Sequence, residues 1–202
     1  MNVIQSKARA VGNVVFPEFT GAHVYMARNL VGHPLQGVPD AYHDIVNGML
    51  ADAGIPEHTG FYVTIDEQFL KKDNKLRRGG VHIDGNYLFS WGSSGGWLNG
   101  TPGRMLTEEQ HKLQYQSSLG GIVMASSFVA CEGFLGEVHG EPGQGGDCEH
   151  LRGQFGALES FWLKKNTVYL GNSTFIHEGH VVSKDTNRQL VRLTLDTTYQ
   201  YQ

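Results

Sequence analysis

The sequence predicts a mainly β protein, an antiparallel sandwich or barrel with peripheral helices. Three observations carry that expectation. Six runs are rich in β-branched and aromatic residues and are separated by Gly, Asn, Asp or Pro turns. They do not alternate with helical segments of about 10 to 15 residues, as a parallel α/β sheet requires. Glycine supplies 27 of 202 residues without a three-residue period, which excludes collagen and fits a loop-rich β chain.

The elements follow in order. A helix is predicted from about Pro39 to Ala53: Pro39 and Asp40 start it, Tyr42, Ile45, Val46, Met49 and Leu50 recur at helical spacing, and Gly54 ends it. Strands are predicted at 60–70 (GFYVTIDEQFL), 81–91, 120–130, 157–171, 173–182 and 188–197. A second, weaker helix spans about Thr107 to Gln116, opened by the capping-box pattern Thr107-Glu108-Glu109-Gln110. No repeat, low-complexity tract or Pro/Ser-rich linker divides the chain, so one domain is expected.

Twenty acidic against sixteen basic residues leave a net charge of −4, which argues against a protein devoted to gripping nucleic acid. The run KKDNKLRR, 71–78, is the local exception; it reads as a solvated hairpin loop or as a patch that steers an anionic substrate. No apolar run approaches the roughly 18 to 20 residues of a membrane-spanning helix, and MNVIQSKARAVGNVVF lacks the apolar core of a secretory signal. A cytoplasmic protein with no membrane partner is therefore expected. Its two cysteines, Cys131 and Cys148, are then thiols that the fold does not need. With His139 and His150 they lack zinc-site spacing.

Chemistry is suggested by the ten histidines. His82 and Asp84 stand two apart in a strand-like run, so both side chains fall on one sheet face. An imidazole and a carboxylate placed so offer two adjacent ligands to a divalent cation, and a third from another strand would complete a 2-His-1-carboxylate set. The plainer alternative is a half-buried His beside a solvated Asp. Further on, FIHEGHVVSKDTNRQLVRLTL brings His177 and His180 near a strand, followed by Arg188, Arg192 and Thr194 on one face of the next. Val191, Leu193 and Leu195 take the opposite face. Two arginines on a core-forming strand either enclose an anion, a carboxylate held in bidentate fashion for example, or face solvent.

Taken together, His-x-Asp, a gap of roughly ninety residues, a late His and a later Arg resemble the Fe(II)- and 2-oxoglutarate-dependent oxygenase family. The resemblance covers about Gly60 to Asp196. It implies a double-stranded β-helix, the cupin-like jelly roll, with His82, Asp84 and His177 as iron ligands, 2-oxoglutarate as co-substrate and ascorbate as an auxiliary reductant. Arg188 lies eleven residues after His177, a spacing common for the family's co-substrate anchor, while Arg192-Leu-Thr194 matches its R-x-S/T pattern; both remain candidates, with Thr194 beside them. His180 competes with His177 as third ligand. The segments 92–116 and 137–154 exceed the minimal core of the family.

Tyr87, Phe89, Trp91 and Trp97 are either the wall of such a site or ordinary core. The glycine-rich pieces 92–96 and 141–147 lack the register of nucleotide loops and read as loops that could close over the mouth. The prime substrate is expected to be a small molecule, a peptide or a nucleobase. Two other classes fit the same pattern: a non-catalytic cupin-like binding module, and a metal-dependent cupin enzyme that does not use 2-oxoglutarate.

Overall fold

The computed structural model describes residues 3–84, 97–98, 101–102 and 119–202, and antiparallel β structure dominates it. The strands are β1 (Val3–Ser6), β2 (Ala8–Asn13), β3 (His23–Leu30), β4 (Gly60–Leu70), β5 (Lys75–His82), β6 (Trp97–Leu98), β7 (Thr101–Pro102), β8 (Leu119–Ser126), β9 (Cys131–His139), β10 (Glu159–Trp162), β11 (Thr167–Asn172), β12 (Ile176–Val181) and β13 (Thr186–Gln200). A six-stranded sheet runs β2-β11-β8-β13-β4-β3. A five-stranded sheet runs β1-β9-β12-β5, with β10 also paired to β9. β6 and β7 pair only with each other.

Each sheet is covered on its outer face. Helix α1 (His43–Asp52), entered through a 3-10 turn at Asp40–Tyr42, lays Tyr42, Ile45, Val46, Met49 and Leu50 on the six-stranded sheet. There they meet Phe61, Val63 and Ile65 of β4, and Val191, Leu193 and Leu195 of β13. The 3-10 segment Glu149–Ala157 covers the smaller sheet, where Leu151 and Phe155 join Ile4, Val81, Ile83, Phe134, Val138, Cys148 and Ile176. The inner faces meet through Ile122, Met124, Leu163, Tyr169 and Phe175. Burial on both faces explains why β4 reads as a nearly continuous apolar run rather than an alternating one.

Several sequence expectations match these elements, and several need correction. The strand at 60–70 and the helix after Pro39 form where expected. The run 157–171 is two strands in different sheets, because Asn166 adopts φ 60° and turns the chain between them. β5 begins at Lys75 and ends at His82, so half of the basic run 71–78 is strand rather than loop. The β structure starts at residue 3, since β1 to β3 pair with β9, β11 and β4.

Residues 137–154 are likewise no mere insertion: Glu137–His139 continue β9, and Cys148 is fully buried in the outer core, against the reading that no thiol serves the fold. The predicted helix at 107–116, the residues Tyr87, Phe89 and Trp91, and the glycine run 92–96 lie outside the described residues, as does the side chain of Trp97. Among the described residues no helix is long and apolar enough to cross a membrane.

Candidate metal centre

β5 and β12 are antiparallel neighbours, and their register sets His82 directly opposite His177. The two imidazole centroids are 4.5 Å apart. Beyond His82, the chain is gripped by the segment that follows β9: Cys148 N–H donates to Val81 C=O at 3.0 Å and Ile83 N–H to Gly146 C=O at 2.9 Å. Ile83 therefore faces the outer core while Asp84, two residues from His82, turns inward beside it. The glycine-rich piece 141–147 is thus tied at its end to the strand that carries the ligands, which removes that part from the role of a free lid.

One ligand atom from each of His82, Asp84 and His177 lies within 4.8 Å of the others, the only such group of three or more among the described residues. His177 Nε2 is 3.2 Å from Asp84 Oδ2, and His82 Nε2 is 3.9 Å from Asp84 Oδ1. Both rings have their other nitrogen on a backbone carbonyl: His82 Nδ1 on Gly80 at 2.8 Å and His177 Nδ1 on Phe175 at 3.1 Å. A carbonyl only accepts, so each Nδ1 carries a proton and each ring turns its Nε2 towards Asp84. Each Nε2 can share a proton with the carboxylate or give its lone pair to a cation held jointly with it. Backbone-oriented imidazoles with one carboxylate suit a divalent transition metal.

Arg192 secures the carboxylate, its Nη1 donating to Asp84 Oδ2 at 2.7 Å. Burial by itself would raise the Asp84 pKa, but the Arg192 guanidinium, followed by His177 and His82, holds it well below the usual carboxylate range. Asp84 is therefore ionised at neutral pH, as a metal ligand must be.

A cavity of about 170 Å³ opens beside this group. Its floor is the inner face of the six-stranded sheet, where strand register sets side chains in rows. Thr64, Arg192, Met124 and Tyr169 make one row across β4, β13, β8 and β11; Asp66, Leu190 and Ser126 make the next. Arg188 follows on β13, and Phe128, Cys131, Leu163 and Gly179 complete much of the wall. The division of β13 into a polar inner and an apolar outer face is as the sequence predicts. Thr194 shares the inner face but is buried away from the cavity lining.

Arg188 and Arg192 face the cavity rather than open solvent. Both arginines are buried or nearly so, and each is engaged by a carboxylate of the chain itself: Arg192 by Asp84, and Arg188 by Asp66, Nη1 to Oδ2 at 3.2 Å. Buried guanidinium groups are satisfied internally because leaving them unpaired is costly. Arg192 Nε is also buried and finds no partner among the described residues. His180 is elsewhere, with Nε2 on Glu132 at 3.0 Å and its ring against Trp162.

Asp66 went unrecognised in the sequence, although two adjacent acids inside the apolar run GFYVTIDEQFL were a usable signal: one must point into each face. Among the described residues Cys131 belongs to no group of three metal-ligating side chains; burial pushes its thiol up to about 12, so it lines the cavity as a neutral group. No protein-family model matches the chain, and neither does any curated protein or solved structure.

Proposed function

We propose that the protein is an Fe(II)- and 2-oxoglutarate-dependent dioxygenase on a double-stranded β-helix, which hydroxylates its substrate with release of succinate and CO2. The observation that carries this reading is the convergence of His82 and His177 Nε2 on Asp84, beside a cavity whose floor holds two inward arginines. The strand pairing supports the fold: β4 with β13, β5 with β12, β8 with β11 and β9 with β10 are nested, as winding one long antiparallel hairpin into a jelly roll produces.

His82, Asp84 and His177 would hold the iron, which supplies oxygen activation coupled to decarboxylation of the keto acid. The chain's own groups do the rest. Phe175 and Gly80 carbonyls fix the ligand tautomers, and Arg192 holds Asp84 ionised and oriented. Because Arg192 is paired with Asp84, a member of the ligand group, whereas Arg188 is paired with Asp66 outside it, we assign the remote carboxylate of 2-oxoglutarate to Arg188, four residues or roughly 13 Å along the strand from Arg192 at ~3.3 Å per residue. Met124, Leu163, Tyr169 and Leu190 form the apolar part of the wall and restrict water. A cupin enzyme that binds metal without 2-oxoglutarate needs no guanidinium in its barrel, and the inward placement of both arginines favours the oxygenase over it.

The test is succinate formation from 2-oxoglutarate with Fe(II) and ascorbate, together with calorimetry of metal and acid binding. Turnover that disappears in His82→Ala, and a 2-oxoglutarate requirement raised about 10- to 100-fold in Arg188→Met, are the expected results, the latter from loss of charge-assisted hydrogen bonds. Metal binding without acid binding would favour the cupin enzyme that does not use 2-oxoglutarate; binding of neither would favour a non-catalytic module.

A further inference from the structure

Asp66 stands between Arg188 and solvent-facing groups at one end of the cavity. Its Oδ2 accepts from Arg188 Nη1 at 3.2 Å; its Oδ1 accepts from Gln68 Nε2 at 2.9 Å and lies 3.3 Å from His23 Nδ1. Side-chain exposure is 4% for Asp66 and 8% for Arg188, against 55% for His23. The cavity thus contains a buried ion pair of zero net charge, with a half-exposed imidazole behind it.

A carboxylate that joins Arg188 places a second negative charge next to Asp66, and one guanidinium cannot neutralise both. An excess charge at such a site is strongly unfavourable. Groups in the same cavity offer little relief: Arg192 is engaged by Asp84, the Cys131 thiol is neutral, Tyr25 and Thr64 carry no positive charge, and Lys164 is exposed to solvent. His23 is placed to supply the missing charge, since a proton on its ring leaves the imidazolium facing Asp66 Oδ1 while the rest of the ring remains in water.

We propose that Asp66 sets the proton requirement of the acid pocket: it lets Arg188 take a carboxylate only together with one proton, held on the Asp66–His23 pair. The proposal rests on the reading of Arg188 as the acid anchor. Asp66 is a positioning residue here, acting through Arg188. In the variant Asp66→Asn, an anion would meet an unpaired guanidinium and need no proton.

The experiment is calorimetric titration of the Mn(II)-loaded protein with 2-oxoglutarate at pH about 8, above the ordinary imidazole range, in buffers of different ionisation enthalpy. For the wild type, uptake of close to one proton per acid bound is expected. Asp66→Asn should bind at least tenfold tighter with no uptake. His23→Gln, a change at a half-exposed site that leaves Arg188 and Asp66 paired, should lose the uptake and bind more weakly at pH 6 than the wild type does. Wild-type binding without proton uptake, or uptake unaltered in His23→Gln, overturns the proposal while the acid anchor stands. Absence of 2-oxoglutarate binding in both the wild type and Asp66→Asn, with Mn(II) bound, overturns the anchor and the proposal together.

Discussion

Two buried carboxylates, Glu67 and Asp84, are satisfied in opposite ways. Glu67 lies on the outer side of β4 and collects neutral donors: the Tyr42 hydroxyl, Gln189 Nε2 at 2.8 Å, Thr20 N–H at 2.7 Å and Ala22 N–H at 2.8 Å. Burial would raise its pKa, but those hydrogen bonds, Tyr42 first, bring it down to about 2. It is a closed network that ties the segment before β3 and the entry of α1 to the sheet. Asp84 instead has the Arg192 guanidinium on one oxygen and the Nε2 atoms of two imidazoles turned towards it. A carboxylate closed off by neutral donors stabilises a fold, whereas one grouped with two imidazole nitrogens offers a ligand set to a cation.

Substitutions can separate the two roles. The largest effect belongs to the ligand cluster: His82→Ala or Asp84→Ala should weaken Mn(II) or Fe(II) binding at least about 100-fold, since one of three protein ligands is lost. Calorimetry with the metal alone reads this, and circular dichroism checks that the fold remains. Metal affinity within a factor of two of wild type in either variant would remove the cluster as a metal centre.

Glu67→Gln is the complementary change. It sets an amide N–H₂ against donors and should cost about 1–3 kcal/mol of stability by urea unfolding, with metal affinity unchanged. The pH dependence carries a sign. Because the folded-state pKa is depressed, Glu67 stabilises fully above its ordinary value of 4.5, and that contribution fades as pH falls towards about 2. The loss of stability between those pH values should therefore be shallower in Glu67→Gln than in the wild type. Equal slopes would mean that Glu67 is not held by its donors in solution.

A smaller effect tests the link between Arg192 and the cluster. Arg192→Lys keeps the charge but exchanges a planar fork for a point donor, and it should weaken metal binding about tenfold, within the range for groups that orient ligands. Unchanged affinity would mean that Asp84 is positioned by its histidines alone.

What the sequence disclosed follows how each segment is buried. β4 and β13 were legible because their apolar faces are continuous with α1, and the alternation from Arg188 to Leu195 set the two arginines and Thr194 on one face and Val191, Leu193 and Leu195 on the other. His82 and Asp84 were legible because a spacing of two fixes a shared face without knowledge of the partner strand. β9 was not, since glycines interrupt it. Those glycines answer to tertiary crowding: a Cβ at Gly133 would come within 2.7 Å of Phe175 and 2.9 Å of Phe161, so the residue that looks like a loop signal is required by packing. The partners of the arginines were equally hidden, because Asp66 meets Arg188 and Asp84 meets Arg192 only when β4, β5 and β13 are assembled.

His177 and His180 pose the same problem at three residues' spacing, and they make the smallest expected effect the most discriminating. In an unbroken strand, side chains an odd number apart lie on opposite faces. The geometry agrees: His177 is 4% exposed and turned to His82, whereas the register of β12 slips after Gly179 and His180 lies tilted against Trp162 with its Nε2 on Glu132. His180→Ala should therefore leave metal affinity within about twofold of wild type, because the ligand set retains its three atoms and their carbonyl partners. His177→Ala should reduce it as severely as His82→Ala. If His180→Ala proved the more damaging of the two, β12 would be shifted in solution and the pairing of His177 with His82 would be lost with it.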